Sequence, residues 1–226
     1  MRELDLNILV CSDLHASADG AKMVQRAANS GDFDLLVVCG DFTTYGSLDY
    51  VKDFLSAVKD VKVLAVPGNC DVPEIVKVLE KAHASVHNRS VEFGSWKFFG
   101  FGGAVPGSMG MPFEVPEAEI VSSLRKVGSQ GGVMVTHMPA FGMNDRGRSG
   151  KHTGSRGILK VAQEFKPRLA LSGHMHESRG MEISNGVVYV NPGSARNGFY
   201  ASVWLGTEIK VKFHEDDSVN PTPKIF

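Results

Sequence analysis

Asp34-Leu35-Leu36-Val37-Val38-Cys39-Gly40-Asp41 is a short apolar run that stops abruptly at a glycine and a carboxylate. Such a run, bounded by polar residues, reads as a strand of a parallel sheet buried on both faces. Gly40 lets the backbone turn sharply where the strand ends. Asp41 is then left at the carboxyl edge of the sheet, where open α/β folds place their ligands.

The same alternation recurs on either side. Residues 6–11, 35–39 and 61–66 read as strands, and residues 18–29, 47–58 and 73–81 as helices, the last with Pro73 at a tolerated first-turn position. This β-α order argues for a parallel sheet with right-handed crossovers. The middle changes character. Residues 86–93 and 96–101 form a hairpin pattern around Gly94-Ser95, and residues 102–116 are rich in Gly, Pro and Met. A helix over 116–126 and a strand over 132–136 resume the alternation before a second irregular stretch, 138–154. Loops of this length inside a compact domain are functional or disordered.

Residues 155–165 read as a helix with Ser155 as N-cap, and 168–171 as the next apolar strand. The remainder reads as β only, over 180–184, 187–190, 199–205 and 208–213, with Asn185-Gly186 as a hairpin turn. From His214 the chain is polar and carries two prolines, so it is expected to fray. The expected organisation is one domain over 1–226, with 214–226 as a loosely ordered tail.

Composition narrows the class. The 226 residues are enough for one α/β domain with a sizeable core. A net charge of −1 leaves no footprint for general nucleic-acid or membrane-surface binding. No apolar run is long enough to span a bilayer, and residues 1–6 lack the apolar stretch of a signal peptide. Three cysteines without CxxC spacing argue against a disulfide framework or a cysteine-zinc site, so a reduced, cytoplasmic protein is expected.

The polar residues collect at strand ends. The first strand is followed by Ser12-Asp13-Leu14-His15, the second by Asp41, and the third by Gly68-Asn69-Cys70-Asp71. His137 follows the strand that ends near Thr136, and Gly173-His174-Met175-His176 the one that ends near Leu171. All of these fall at one edge of the sheets, where chance would scatter them between both ends. Oxygen and imidazole donors suit Mn²⁺, Fe, Zn²⁺ or Ni²⁺ better than Mg²⁺ or Ca²⁺. In an extended segment alternate residues point the same way, so D-x-H and H-x-H can each turn two side chains to one ion. The competing reading is that these residues cap and turn the chain after strands, as Asp and Asn often do.

The ordered set D-x-H, G-D, G-N-x-D, H and G-H-x-H resembles the calcineurin-like metallophosphoesterase superfamily, across Asp13 to His176. The Gly154-Ser155 pair and the Asn191-Pro192-Gly193-Ser194 turn resemble its small prokaryotic branch. The resemblance implies a four-layer α-β-β-α sandwich, with two mixed β-sheets flanked by helices. It assigns Asp13, His15, Asp41 and His176 to one metal, and Asp41, Asn69, His137 and His174 to the other, with Asp41 as the bridge. It also places Asp41, Asn69 and His137 among the catalytic residues. The implied cofactors are two divalent transition-metal ions, Mn²⁺ first, with Fe, Zn²⁺ or Ni²⁺ as alternatives. The implied reaction is hydrolysis of a small phosphate ester by in-line attack of a metal-bridging hydroxide. A phosphodiesterase is the first expectation. A phosphomonoesterase or protein phosphatase is the near alternative, and a metal-binding interaction scaffold the distant one. Small members of the family are often dimers or larger, which leaves a homo-oligomer open.

Cys70 departs from the family's common G-N-H-[DE] pattern, in which the histidine is thought to assist the leaving group. A neutral thiol is a poor substitute for a cationic imidazole. His152 is the candidate to take over, and Arg146, Arg148, Lys151 and Arg156 the candidates to contact phosphate; the plain alternative is a solvated loop. Asp71 is expected either to cap the helix after Pro73 or to orient a neighbouring ligand. Met109, Met111 and Phe113 line a substrate mouth, form an oligomer contact or fill space under their loop. Cys11 and Cys39 are expected in the core, and His83, His87 and His214 on the surface.

Overall fold

A computed structural model describes residues 5–219. Among them lie eleven strands and five α-helices. In chain order they are β1 (Leu6–Cys11), α1 (Ala18–Ala28), β2 (Leu35–Val38), α2 (Leu48–Ala57), β3 (Lys62–Ala65), α3 (Ile75–Lys81), β4 (Arg89–Phe93) and β5 (Trp96–Phe101). Then follow α4 (Glu117–Val127), β6 (Val133–Thr136), α5 (Arg156–Phe165), β7 (Leu169–Leu171), β8 (Gly180–Ser184), β9 (Val187–Asn191), β10 (Phe199–Leu205) and β11 (Ile209–Glu215).

The strands form two mixed sheets, ordered β11-β10-β1-β2-β3 and β4-β5-β6-β7-β9-β8. Strand β2 lies parallel between β1 and β3, so that Val38 is level with Cys11 on one side and Ala65 on the other. In the second sheet, β5, β6, β7 and β9 run parallel. The five helices flank the pair of sheets, and the implied α-β-β-α sandwich is the observed fold.

The period-2 rule explains why β2 is apolar throughout. Leu35 and Val37 point into the layer between the sheets, with Ile8, Val10, Phe98, Val135 and Leu171. Leu36 and Val38 point the other way, into the layer shared with Met23, Val24, Phe54 and Leu79 of α1, α2 and α3. A third apolar layer joins Phe99, Met134 and Ala170 of the second sheet to Leu124 of α4 and Val161 of α5.

Helix starts follow local capping chemistry. Ser17 Oγ accepts from Gly20 N (3.0 Å), Ser47 Oγ from Tyr50 N (3.3 Å) and Ser155 Oγ from Ile158 N (3.0 Å). Glu117, at the start of α4, accepts from Gly157 N and Ser155 Oγ, which fastens α4 to α5. Helix α3 begins at Ile75 without a side-chain cap, two residues later than the expected start.

Two surface expectations need correction, the tail and His87. His214 and Glu215 of β11 pair with Tyr200 and Phe199 of β10, Asp216 holds Arg26 at 2.7 Å, and Val219 is buried, so residues 214–219 are anchored. The rest of the expected loose tail, 220–226, lies outside the described residues. His87 is part of the interior under the first long loop, where it packs on Phe101 and Phe113 and its Nδ1 accepts from Gly102 N. His214 stacks on Tyr200 and bonds Ser202.

Phe98 fills the layer between the sheets and has no exposed surface. Phe98→Ala is expected to cost about 3–5 kcal/mol, read by urea or thermal unfolding. A cost below ~1 kcal/mol would contradict this packing.

Candidate metal centre

Each informative polar residue sits just past the carboxyl end of a strand, and the backbone there is strained. Asp13 (φ 57°), His15 (47°), Asp41 (52°) and His174 (66°) all adopt left-handed conformations. Such conformations are uncommon for residues other than glycine and cluster at functional sites. Backbone bonds lock the turns together: Asp13 N donates to Gly40 O (3.0 Å), His15 N to Asp41 O (2.9 Å) and Gly173 N to His137 O (2.9 Å). Close approach accounts for Gly68, where a Cβ would stand 2.0 Å from Asp41 Oδ1.

The side chains converge. His15 Nε2 lies 3.8 Å from Asp13 Oδ1 and 3.7 Å from Asp41 Oδ2. His176 Nε2 lies 3.1 Å from Asp13 Oδ1 and 3.4 Å from His15 Nε2. On the other side of Asp41, His137 Nε2 lies 3.5 Å from Asp41 Oδ2 and 2.9 Å from Asn69 Oδ1. His174 packs edge-on against His137, with ring centroids 5.0 Å apart, and its backbone N donates to Asp13 Oδ2. Asp41 thus stands between a group built from Asp13, His15 and His176 and a group built from Asn69, His137 and His174.

Two features of this cluster fit a cation. Asp13 Oδ1 is buried and accepts no hydrogen bond, although His176 is close by. His137 Nδ1 donates to the Cys39 carbonyl at 2.7 Å, which in the neutral ring turns the Nε2 lone pair towards Asn69 Oδ1 and Asp41 Oδ2. Acceptors that face one another without a donor form the coordination set of a metal ion. Ligand-capable atoms of Asp13, His15 and His176 lie within 4.8 Å of one another, as do those of Asp13, Asp41 and His137.

The electrostatics point the same way. Burial pushes the Asp41 carboxyl up to about 7, with His137 opposing and the charges of Asp13 and Asp71 adding to the rise. Burial also disfavours ionised Asp13, but the imidazoles of His176, His137 and His15 outweigh it and hold Asp13 below the usual carboxylate range. His15 is lowered to about 4 and His174 to about 3, chiefly by burial. Burial works against protonated His176, yet the Asp13 carboxylate beside it raises it above the ordinary imidazole value. A divalent cation would offset the crowded carboxylates and bind the neutral imidazoles.

Several supporting residues were not singled out as such by the motifs. Thr44 Oγ1 meets His15 Nδ1 at 2.9 Å and sets its ring. Asn191 Nδ2 donates to Met175 O (2.8 Å), and Ser194 Oγ to Asp13 O (2.9 Å), so the Asn191-Pro192-Gly193-Ser194 turn buttresses two ligand loops. Arg196 N also donates to Asp13 O. The signal for Thr44 was its place just after Asp41; Asn191 and Ser194 were visible only as a family mark.

Asp71 corrects one of its two expected roles. It does not cap α3. It is fully buried and accepts from Gly68 N (2.9 Å), Phe42 N (3.2 Å), Thr43 N (2.8 Å) and Thr43 Oγ1 (3.0 Å), so it ties the loop after β3 to the loop after β2.

The second long loop has its own local network. His152 Nδ1 pairs with Asp145, which in turn accepts from Gly142 N and Gly154 N. Arg146 bonds Gly150 O, Arg148 pairs with Glu177, and Arg156 lies 3.8 Å over the Phe141 ring. The loop does dock on the His174–His176 segment, through Thr153 to Met175 and Ser178 to Arg146 O. These three arginines are therefore already engaged. Cys70 lies in the cluster itself, its Sγ grouped with His15 and Asp41 and its thiol kept neutral by burial. Cys11 and Cys39 are core residues.

The model of the calcineurin-like phosphoesterase family matches residues 6–178, a span that contains every strand-end cluster described above. The chain belongs to the calcineurin-like phosphoesterase family. It is 32% identical over 196 residues to an uncharacterized protein of Methanocaldococcus jannaschii, covering 83% of this chain and 88% of that one. Among solved structures, a protein of Thermus thermophilus superposes with a TM-score of 0.75 at 15% identity, covering 94% of this chain and 99% of that one. A structure described as a novel archaeal phosphodiesterase superposes at 0.54 with 18% identity, covering 92% and 100%. These two likenesses concern the fold. The chain is a calcineurin-like phosphoesterase with a candidate His/Asp metal site. No helix of the described residues is long and apolar enough to cross a membrane.

Asp41 and His176 must both shed protons before they act as ligands, and each holds its proton to a higher pH than an ordinary carboxyl or imidazole would. Metal affinity is therefore expected to strengthen between pH 6 and pH 8, with more protons released per ion at pH 6. Titration calorimetry in buffers of different ionisation enthalpy reads both quantities. Affinity that does not change with pH would contradict this account.

Proposed function

We infer that the chain hydrolyses a small phosphodiester with the help of two divalent ions held around Asp41. The observation that carries this reading is the position of Asp41 Oδ2, 3.7 Å from His15 Nε2 and 3.5 Å from His137 Nε2. One ion would take Asp13, His15, Asp41 and His176, and the other Asp41, Asn69, His137 and His174. Bound ions would supply an activated water and positive charge for the phosphoryl oxygens. Mn²⁺ is our first choice, because the donor set mixes carboxylate, amide and imidazole. The three free cysteines suit a reducing, cytoplasmic setting.

The chain's own residues prepare the site. The Cys39 carbonyl fixes the His137 ring, Thr44 fixes His15, and the main-chain N of Cys70 donates to Asp41 Oδ1 at 2.8 Å, leaving Oδ2 to face both groups. A diester fits better than a monoester on one ground. Cys70 stands where a histidine could protonate a leaving alkoxide, and its neutral thiol favours leaving groups that need no proton. The archaeal neighbour described as a phosphodiesterase agrees with this choice by analogy of fold. The scaffold alternative has some support in fold too. The anchor protein GAP50 of the Plasmodium inner membrane complex superposes with a TM-score of 0.63 at 13% identity.

With Mn²⁺, bis(p-nitrophenyl) phosphate should be turned over, and Asp41→Asn should lower kcat at least ~10²-fold. Tight metal binding without turnover of any ester, under Mn²⁺, Fe, Zn²⁺ or Ni²⁺, would favour the scaffold. Cys70→His should raise turnover of alkyl esters relative to aryl esters, towards the ~10²-fold scale of general-acid assistance. An unchanged ratio would remove the leaving-group argument.

A further inference from the structure

Two segments rise beside Asn69 and Cys70 and meet above them. The first follows Asp41: Thr44 bonds His15, and Tyr45 N donates to Cys70 O at 2.9 Å. The second is the glycine- and methionine-rich loop. There Phe113 N donates to Asn69 O at 3.1 Å, and a bridge between Ala104 and residues 113–115 holds the loop's base. The two segments touch where Tyr45 Oη donates to Met111 Sδ at 3.2 Å. Main-chain bonds therefore make an apolar lip of Tyr45 and Met111 continuous with the candidate metal site, and Met109 stands two residues further out on the same loop.

Packing does not account for this lip. Tyr45 is 57% exposed and Met109 78%, and both are among the large apolar side chains the described residues leave in solvent. Tyr45 also has φ 59°, in the left-handed region, where a bulky side chain costs stability and glycine or asparagine would be at ease. An exposed aromatic ring held at such a cost beside a reaction site has the marks of function. The lip's chemistry is an aromatic face and two polarizable thioethers. Glu114, the nearest acid in the loop, is occupied with Gly107 N. Surfaces of this kind bind flat aromatic rings by stacking and sulfur contact, without reading hydrogen-bond patterns.

We propose that Tyr45, Met109 and Met111 form a subsite for an aromatic group carried on the phosphate ester. It rests on the phosphoesterase reading above and names the substrate class: a diester with one aromatic substituent. The substituent lies against the lip while the phosphate occupies the centre around Asp41.

The test uses two substrates with the same leaving group, p-nitrophenyl phenyl phosphate and p-nitrophenyl methyl phosphate, and the Mn²⁺-loaded protein. The ratio of their kcat/KM values isolates the lip from leaving-group chemistry. Tyr45→Gly and Met111→Ala should each lower the phenyl-over-methyl ratio about tenfold, mainly through KM, the scale of one lost stacking contact. Tyr45→Phe should keep most of the ratio, and Ile183→Ala, an exposed apolar residue on β8, should keep all of it. Tyr45→Gly should melt no lower than the parent, which separates a binding role from a structural one. Ratios equal to the parent's in both Tyr45→Gly and Met111→Ala would overturn the subsite. If neither ester is hydrolysed, the phosphoesterase reading fails on its own. Calorimetry with phenylphosphonate and methylphosphonate then decides the lip: selective loss of phenylphosphonate binding in Tyr45→Gly supports it, and unchanged binding overturns it.

Discussion

The arrangement depends on two carboxylates, Asp13 and Asp41, buried side by side where the edges of the two sheets meet. Neither has more than a trace of solvent exposure, and imidazoles surround both. Burying one carboxylate is already costly, and a second with an oxygen within 4.8 Å compounds the cost. Protons relieve part of it where Asp41 and His176 hold them to a higher pH than usual. Divalent ions would relieve it better, because each would also satisfy the imidazoles that burial keeps neutral.

The scaffold holds this costly arrangement in place from below. Asp71 accepts four hydrogen bonds and clamps the loops that carry Asp41 and Asn69. Gly68 lets those loops approach closely enough for the Cys70 N to bond Asp41. From the far sheet, the Asn191–Ser194 turn fastens the loops of Asp13 and His176. The bonds of Ser194 to Asp13 O and of His137 to the Cys39 carbonyl cross from one sheet to the other, so the complete site needs the two sheets stacked. The apolar layer between them, with Phe98 at its centre, is as much part of the site as the ligands are.

The sequence showed local features well. The apolar run 35–39, its glycine and Asp41 were readable because a strand and its end are encoded by neighbours in the chain. The same holds for serine caps and for the Asn185-Gly186 turn. The convergence of Asp13, His15, Asp41, Asn69, His137, His174 and His176 was legible because each follows a parallel strand, and parallel strands carry their ends to one edge. Features set by contacts across the fold were not legible. Asp71 precedes Pro73 and resembles a helix cap, but three of its four hydrogen bonds come from Phe42 and Thr43 in the loop after β2. Nor did the sequence show that Arg146 would bond a backbone carbonyl, Arg148 pair with Glu177 and Arg156 stack on Phe141. His87 gave no sign that two phenylalanines would enclose it. The length of the tail was misjudged because Arg26, which holds Asp216, lies on the first helix.

The central claim is that Asp41 is shared by two ions. Anomalous diffraction from Mn²⁺-loaded crystals tests it most directly. The account predicts two peaks roughly 3.5–4 Å apart, with Asp41 Oδ2 between them, His15 and His176 on one and Asn69 and His137 on the other. A single peak, or two peaks that do not share Asp41, would contradict it.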